Sequence, residues 1–214
     1  MGRRQVYDWP LFNGTVLRLQ PQAVIFSDVG PGCRWVGNEE GQAGRTNWST
    51  LEVEGFTPGA GSPPTAVLTS GTPGASHWSA AETDVSIRPG WFWRKSETEQ
   101  VKSLQELLRI YYESVGRNSL LLLNVPPDIR GRIDPVDSLR LMQLRAALDR
   151  IFSDDLSAGA SVAGPSRGRG FSPANVLSDD YDRYWALPDG VTKATLTLAL
   201  DGEKRFNRVV LQEY

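Results

Sequence analysis

Carboxylates and tryptophans are the residues of this 214-residue chain whose types and spacing could carry chemistry. Glu39 and Glu40 lie in a glycine-rich segment, and Glu82, Asp84 and Arg88 form a second cluster further along. The tryptophans near these clusters are Trp35, Trp48, Trp91 and Trp93. Carboxyl groups can donate and accept protons, and aromatic faces stack on the C–H faces of sugars. This combination of residues is typical of a carbohydrate site.

Other chemistries find little support in the composition. His77 is the only histidine and Cys33 the only cysteine, so an internal disulfide is excluded and a metal site is disfavoured. We expect Cys33 to be a small packed residue and His77 to lie in a loop. The formal net charge of −2 provides no basic field for nucleic acid or an anionic membrane. No apolar run reaches the roughly 18 residues of a membrane helix, and no signal-peptide pattern is visible at the start.

The hydrophobic pattern predicts a parallel α/β fold. Helical spacing predicts helices over 9–19, 101–115 and 134–152, the last with Asp134 as N-cap and Pro135 at its first position. Short apolar runs predict strands buried on both faces at 23–28, 84–88 and 119–125. Residues 30–83 are expected to form a long irregular region. In a (β/α)₈ barrel the loops after the strands carry the chemistry, so this region becomes a candidate site.

The second cluster has a functional and a structural interpretation. Glu82 and Asp84 are two residues apart and therefore point to the same face of a strand. Arg88 follows at the strand's carboxyl end, where it could contact a sugar hydroxyl or form a structural Asp–Arg pair that braces the loop. Asp28, after the first strand, could be catalytic or cap the turn, and Asn124 is expected to be a structural hydrogen-bonding residue near the pocket floor.

The character of the sequence changes after residue 156. Residues 157–170 are rich in small residues and are expected to form a linker. Beyond it, 194–200 and 206–212 are strand candidates, so we interpret 171–214 as the start of a β-sandwich module.

Three segments together resemble glycoside hydrolase family 29, the α-L-fucosidases. They are AVIFSDVGPGCRWVGNEEG (23–41), ETDVSIRPGWFW (82–93) and SVGRNSLLLLNVPPD (114–128), and they are more similar to the branch that prefers α-1,3/1,4-linked fucose. The segment 171–186 resembles the start of the galactose-binding-like sandwich that follows the barrel in that branch. The resemblance implies a partial (β/α)₈ TIM-like barrel over 1–156 and a truncated sandwich over 171–214.

The resemblance also assigns roles to residues. It makes Glu39, in the Gly-Asn-Glu stretch, the general acid/base, and it implies no metal and no organic cofactor. A free glutamate has a pKa of about 4.3, so a general acid needs partial burial or a nearby carboxylate to stay protonated. From their positions near these clusters, rather than from the resemblance, we expect Trp35, Trp48, Glu82, Arg88 and Trp91 to be substrate-binding residues, with Trp35 as a candidate apolar wall beside Glu39. The family's aspartate nucleophile precedes the segment here occupied by 7–9, and it is not identifiable in this chain. Asp8 is interpreted as a helix N-terminal residue instead.

The implied function is retaining hydrolysis of terminal α-L-fucosyl linkages in glycans, with transfucosylation as a second outcome. The expected partner is a fucosylated oligosaccharide or glycoconjugate. Because the nucleophile motif is not found, we expect the chain to be a piece of the enzyme, cut within the barrel and within the sandwich. The alternatives are a non-catalytic carbohydrate-binding or structural remnant, and self-association through the open barrel edge that completes a site from another copy.

Overall fold

The computed structural model describes residues 5, 7–57 and 61–213, which fall into two compact units, Met1–Ala147 and Leu148–Tyr214. The helices are α1 (Trp9–Leu19), α2 (Thr65–Ser70), α3 (Leu104–Ser114) and α4 (Pro135–Ile151). The strands are β1 (Phe26–Ser27), β2 (Cys33–Trp35), β3 (Thr50–Leu51), β4 (His77–Trp78), β5 (Ala80–Ser86), β6 (Ser119–Asn124), β7 (Ser161–Ala163) and β8 (Thr197–Ala199). Short 3₁₀ helices cover Lys95–Gln100, Val115–Arg117 and Pro173–Leu177.

A four-stranded parallel sheet in the order β1-β2-β5-β6 organises the first unit. The predicted α/β class and the parallel direction of the strands are confirmed. The strands predicted at 23–28 and 84–88 are not neighbours in the sheet, because an unpredicted strand, β2, lies between β1 and β5. β5 also begins earlier than predicted, at Ala80, so Glu82 and Asp84 both lie within the strand.

The two faces of the sheet differ in burial. Ala81, Thr83 and Val85 alternate with Glu82 and Asp84 and are buried on the helix side of β5. There Val85 and Ile87 pack with Leu107 and Ile110 of α3, which forms the core of this unit. We call the opposite side, which carries Glu82 and Asp84, the inner face.

The inner face departs from the expectation that every strand is buried on both faces. Leu120 and Leu122 of β6 pair with Glu82 and Asp84 and are 52% and 49% exposed. In the first predicted strand, only Phe26–Ser27 forms a ladder, and Phe26 and Val24 are exposed.

Much of the region predicted as irregular is ordered around one buried guanidinium. Arg34 of β2 is fully buried and donates hydrogen bonds to the carbonyls of Leu68 (2.9 Å) and Ser79 (2.5 Å) and to Asn47 Oδ1 (2.6 Å). These bonds hold the segments that contain α2 and the antiparallel β3–β4 pair. Local sequence patterns do not show such contacts, because their partners are tens of residues apart.

Side-chain caps explain the ends of the helices. Asp8 Oδ1 accepts a hydrogen bond from Leu11 N (3.0 Å), and α1 has the predicted bounds, although its apolar stripe is exposed. α3 begins at Leu104 rather than 101, because Ser103 and Glu106 form a capping box. The left-handed residue after α3 is Asn118 (φ 56°). Asp134 caps α4 as predicted, since its Oδ1 accepts from Val136 N (2.9 Å).

The second unit contains one antiparallel pair, β7 with β8. β7 lies within the segment predicted as a linker, and the indole of Trp185 donates a 2.7 Å hydrogen bond to the carbonyl of Pro165 in that same segment. The strand predicted at 206–212 is not formed. Within the described ranges, no helix is both long enough and apolar enough to cross a membrane.

Candidate active site

Backbone hydrogen bonds attach the loop that carries Glu39 to the middle of β5. Val36 N donates to Glu82 O (3.2 Å), and Gly41 N donates to Asp84 O (3.1 Å). Gly41 has φ +70°, and a Cβ there would lie 2.9 Å from both Val85 Cγ1 and Ile110 Cγ2. Glycine is therefore required for the loop to approach the sheet this closely.

Glu39 and Trp91 meet at this edge of the sheet. The Glu39 side chain is exposed, and its Oε2 accepts a 2.8 Å hydrogen bond from Trp91 Nε1. Asn124, at the end of β6, fixes the Trp91 backbone by donating to its carbonyl (3.0 Å), and the same amide donates to Ser86 Oγ (3.0 Å). Asn124 thus has the structural role expected of it. Glu39 lies at the carboxyl ends of the parallel strands, the end where barrel enzymes place their chemistry.

Asp84 and Trp35 form a second carboxylate–indole pair on the inner face. Trp35 Nε1 donates a 2.8 Å hydrogen bond to Asp84 Oδ1. Burial raises the pKa of Asp84, the hydrogen bond from Trp35 opposes that rise, and the negative charge of Glu39 adds to it. Glu39 and Asp84 are therefore close enough to interact electrostatically.

Glu82 lies on the inner face, two residues before Asp84 in β5 and therefore further from the carboxyl end of the strand. Its Oε2 is 3.5 Å from Cys33 Sγ. Burial, followed by the charge and the hydrogen bond of Glu82, raises the pKa of Cys33 to about 12. Cys33 is 2% exposed, so the expectation of a small packed residue is confirmed.

Arg88 does not face the site. It is fully buried, its Nε donates to Asp137 Oδ2 of α4 (2.8 Å), and its Nη2 lies 3.4 Å from Asp134 Oδ2. β5 ends at Ser86, so the chain has left the inner face before Arg88 is reached. Its placement argues against the predicted sugar contact and corresponds to the structural Asp–Arg pair, with aspartates from α4 as partners.

Trp48 lies at the other end of the strands. Its neighbour Asn47 accepts a hydrogen bond at its carbonyl from Asn118 Nδ2 (3.0 Å), and Ser49 O accepts from Ser79 N (2.7 Å). Asn118 and Ser79 immediately precede β6 and β5, which places Trp48 at the amino-terminal edge of the sheet. A position there does not support the predicted role in substrate binding.

The turn after β1 is closed by Ser27 rather than by Asp28, for which turn capping was one of two alternatives. The hydroxyl of Ser27 donates to Gly30 O (2.6 Å) and accepts from Val29 N (3.4 Å), which is the turn-capping role considered for Asp28. His77 lies in β4 rather than in a loop, with Nε2 3.2 Å from Val29 O.

An aromatic groove of about 450 Å³ adjoins Trp91. Phe92 and Ile129 on its rim are 81% and 88% exposed. Its lining consists of Trp91, Phe92, Trp93, Asn124, Pro126, Pro127, Asp128 and Ile129. We had not predicted this groove, although the Trp-Phe-Trp run after β5 and the Pro-Pro-Asp-Ile run after β6 were visible signals. In the part of the chain that the structure describes, no group of three or more histidine, cysteine, aspartate or glutamate residues could hold a metal ion.

Comparisons with known proteins agree with this architecture. The α-L-fucosidase family model matches residues 65–150. Alpha-L-fucosidase 1 of Arabidopsis thaliana is 41% identical over 211 residues, which cover 97% of this chain and 41% of that protein. The crystal structure of SpGH29 superimposes with a TM-score of 0.81 at 33% identity, over 92% of this chain and 44% of that one. A GH29 fucosidase of Ruminococcus gnavus, solved in complex with fucose, gives 0.77 at 28% identity, over 91% and 41%.

The parallel α/β sheet with its carboxylate-and-tryptophan edge, taken with these matches, makes the chain similar to part of the glycoside hydrolases. Within that class it is a relative of the α-L-fucosidase family along nearly its whole length. The chain spans about two fifths of the length of the curated relatives it matches.

Proposed function

We propose that these residues form the acid/base half of a retaining α-L-fucosidase site, with Glu39 as the general acid/base. The observation that carries the proposal is the placement of Glu39: it is exposed at the carboxyl edge of the sheet and fixed by the Trp91 indole at 2.8 Å. A general acid needs both access to the leaving oxygen and a defined orientation. The relatedness to α-L-fucosidases supports fucose as the sugar.

The reaction proceeds by double displacement. A carboxylate nucleophile attacks the anomeric carbon, the bond to the leaving oxygen breaks, and that oxygen takes the proton from Glu39. A water molecule then attacks the same carbon and gives a proton to Glu39, while the bond from that carbon to the nucleophile breaks and regenerates the free carboxylate, so that fucose leaves with retained configuration.

The nucleophile is an aspartate in the part of the fucosidase fold that has no counterpart in these 214 residues. The family pattern, together with the 41% of the curated relatives that the chain spans, supports this part of the proposal. The chain would accordingly be a partial barrel followed by the start of a β-sandwich in the second unit. We expect turnover by the isolated chain to be weak at best, because a retaining site needs two carboxyl groups roughly 5–5.5 Å apart.

The substrate is a fucosylated oligosaccharide with an α-1,3 or α-1,4 linkage. The groove beside Trp91 offers aromatic faces, Phe92 among them, on which the sugar that carries the fucose can stack. We expect Glu82 and Trp35, which lie on the inner face with Asp84, to contact the fucose itself. Transfucosylation would follow when an acceptor sugar in the groove, rather than water, attacks the intermediate.

The test measures release of fucose from a fucosylated oligosaccharide by the 214-residue chain and its Glu39→Gln and Glu40→Gln variants, with the Arabidopsis relative as positive control. Activity that survives in Glu40→Gln and is lost in Glu39→Gln supports the proposal, as does an α-anomer as the first product by NMR. Activity that appears only in an oligomeric fraction and is lost on dilution would support a site shared between copies through the inner face.

The aromatic groove beside Trp91, with Phe92 exposed on its rim, supports a second candidate function, carbohydrate binding without turnover. It predicts that the chain binds a fucosylated oligosaccharide, that Phe92→Ala weakens this binding, and that Glu39→Gln does not.

A further inference from the structure

Trp91 holds Glu39, yet the segment that carries Trp91 forms no regular secondary structure. After β5 ends at Ser86, the chain runs through a series of bends over 87–92. A side chain on such a segment keeps a fixed direction only if its backbone is bonded to something rigid, because no ladder or helix holds it. The contacts that fix the Trp91 backbone therefore bear on the orientation of the Glu39 carboxylate.

Ser86, the last residue of β5, closes the start of this segment with its hydroxyl. Ser86 Oγ donates to Gly90 O (2.8 Å) and accepts from Arg88 N (3.3 Å). It also accepts from Asn124 Nδ2 (3.0 Å). A serine hydroxyl has one donor hydrogen and two acceptor lone pairs, so all three are used here. Ser86 is 6% exposed, which limits competition from water for these bonds.

Asn124 connects this turn to the neighbouring strand. It pairs with Ser86 in the ladder between β5 and β6, and its carbonyl accepts from Ile87 N (2.9 Å). Its Nδ2 donates both to Ser86 Oγ and to Trp91 O, each at 3.0 Å. A primary amide carries two donor hydrogens on one planar nitrogen, so one side chain can join these two acceptors at a fixed angle. A carboxylate or an apolar side chain of the same size could not.

We propose that Ser86 and Asn124 act together as positioning residues for Glu39. They fix the backbone of Trp91, and its indole then fixes the Glu39 carboxylate through the 2.8 Å hydrogen bond. This path of direct contacts joins the loops after β2 and β5 to the end of β6. The idea rests on the proposed function only in the use to which the fixed carboxylate is put. A misplacement of about 1 Å can cost a reaction about 10²-fold, so such fixing bears on rate.

The first test requires no catalysis. Proton–nitrogen correlation NMR of the 214-residue chain reads the Trp91 indole N–H, whose signal is assigned by its loss in Trp91→Phe. Ser86→Ala and Asn124→Leu should each shift this signal towards its position in Glu39→Ala. Each should also speed exchange of this proton with solvent about threefold or more, a large share of the roughly fivefold protection that one net hydrogen bond gives.

Two controls separate positioning from a general loss of stability. Ser114→Ala also removes a buried serine hydroxyl, one that donates to Ile110 O (2.7 Å) in α3, and it should leave the Trp91 signal in place. The Trp93 indole, which donates to Asp134 Oδ2, is the internal reference. An unmoved Trp91 signal in either test variant, or equal changes in the two indole signals, overturns the proposal. If Ser86→Ala does not fold, Asn124→Leu decides the outcome by the same two signals.

The second test is a double-mutant cycle on the release of fucose from a fucosylated oligosaccharide by the same chain. Asn124→Leu alone should lower kcat/KM about five- to tenfold, as expected for loss of the hydrogen bond between Trp91 and Glu39. In the Trp91→Phe background it should cost less than about twofold more, because the bond that it supports is already absent. Losses that add in full would mean that Asn124 acts by packing or by touching the substrate, and would overturn the proposal. Indole signals that respond as expected in a chain without turnover would contradict the proposed function and leave the positioning of Glu39 standing.

Discussion

Trp91 Nε1 donates a 2.8 Å hydrogen bond to Glu39 Oε2 across 52 residues of sequence. Trp91→Phe removes the donor and keeps most of the aromatic surface. We expect kcat/KM on a fucosylated oligosaccharide to fall about five- to tenfold, because one hydrogen bond to an exposed carboxylate is worth about 1 kcal/mol. The expected change in melting temperature is small, since Glu39 is exposed.

Trp93→Phe is the matched control, because the Trp93 indole donates to Asp134 Oδ2 (3.0 Å) instead. It should lower stability and, because it leaves the contact with Glu39 intact, reduce kcat/KM less than Trp91→Phe does. Equal losses of activity in the two variants would show that the aromatic run acts only as packing.

Glu39→Gln should affect substrates according to their leaving groups. General acid assistance contributes typically 10²–10⁴-fold, and an activated aryl leaving group needs little of it. We therefore expect a loss of about 10²-fold or more on a fucosylated oligosaccharide and a much smaller loss on the first step with 4-nitrophenyl fucoside. Steady-state and single-turnover kinetics on both substrates measure the difference. Equal losses on both would argue for a binding role of Glu39.

Local sequence signals predicted the elements that are determined locally. Asp8 and Asp134 indicated the starts of α1 and α4, and short apolar runs indicated three of the four parallel strands, β1, β5 and β6, but not β2. The region 30–83 was not predictable in this way, because its order depends on Arg34 reaching the carbonyls of Leu68 and Ser79.

The candidate site shows the same division. The family resemblance suggested Glu39 as a site residue. The positions of Arg88 and Trp48 could not be predicted in the same way. The position of Arg88 depends on where β5 ends, and that of Trp48 depends on which end of the sheet its loop contacts. β5 ends at Ser86, which directs Arg88 towards α4. The hydrogen bonds of Asn47 and Ser49 take Trp48 to the amino-terminal edge. The pairing of Trp35 with Asp84 needed the register of β2 against β5, which no local pattern contains.

Cys33 provides a chemical probe of the inner face. Its pKa of about 12 leaves roughly 1 thiol in 10,000 ionised at pH 8, against about one in four for a free cysteine. We expect alkylation by iodoacetamide at pH 8 to be at least about 100-fold slower in the native chain than in urea. Because the raised pKa keeps the thiol neutral, the native rate should go on rising with pH well beyond pH 9.

Glu82→Gln should accelerate the alkylation of Cys33, since the charge of Glu82 contributes to the raised pKa. Glu40→Gln is the control and should not. Similar rates in the native and the unfolded chain would contradict the buried position of the thiol.

The Arg88–Asp137 pair should dominate the stability of the first unit. Both side chains are fully buried, and Arg88 Nε lies 2.8 Å from Asp137 Oδ2. Asp137→Asn leaves the guanidinium without its buried counter-ion, which typically costs about 3–5 kcal/mol. Asp134→Asn is the matched control: Asp134 is 3.4 Å from Arg88 Nη2 and partly exposed, and asparagine preserves the helix cap, so we expect a loss of about 1 kcal/mol or less. Urea denaturation followed by tryptophan fluorescence measures both free energies of unfolding.

Replacing the pair by Arg88→Met with Asp137→Leu should recover most of the loss, because uncharged side chains of similar volume carry no desolvation cost. If Asp137→Asn is no more damaging than Asp134→Asn, the buried pair is not what holds α4 to the sheet.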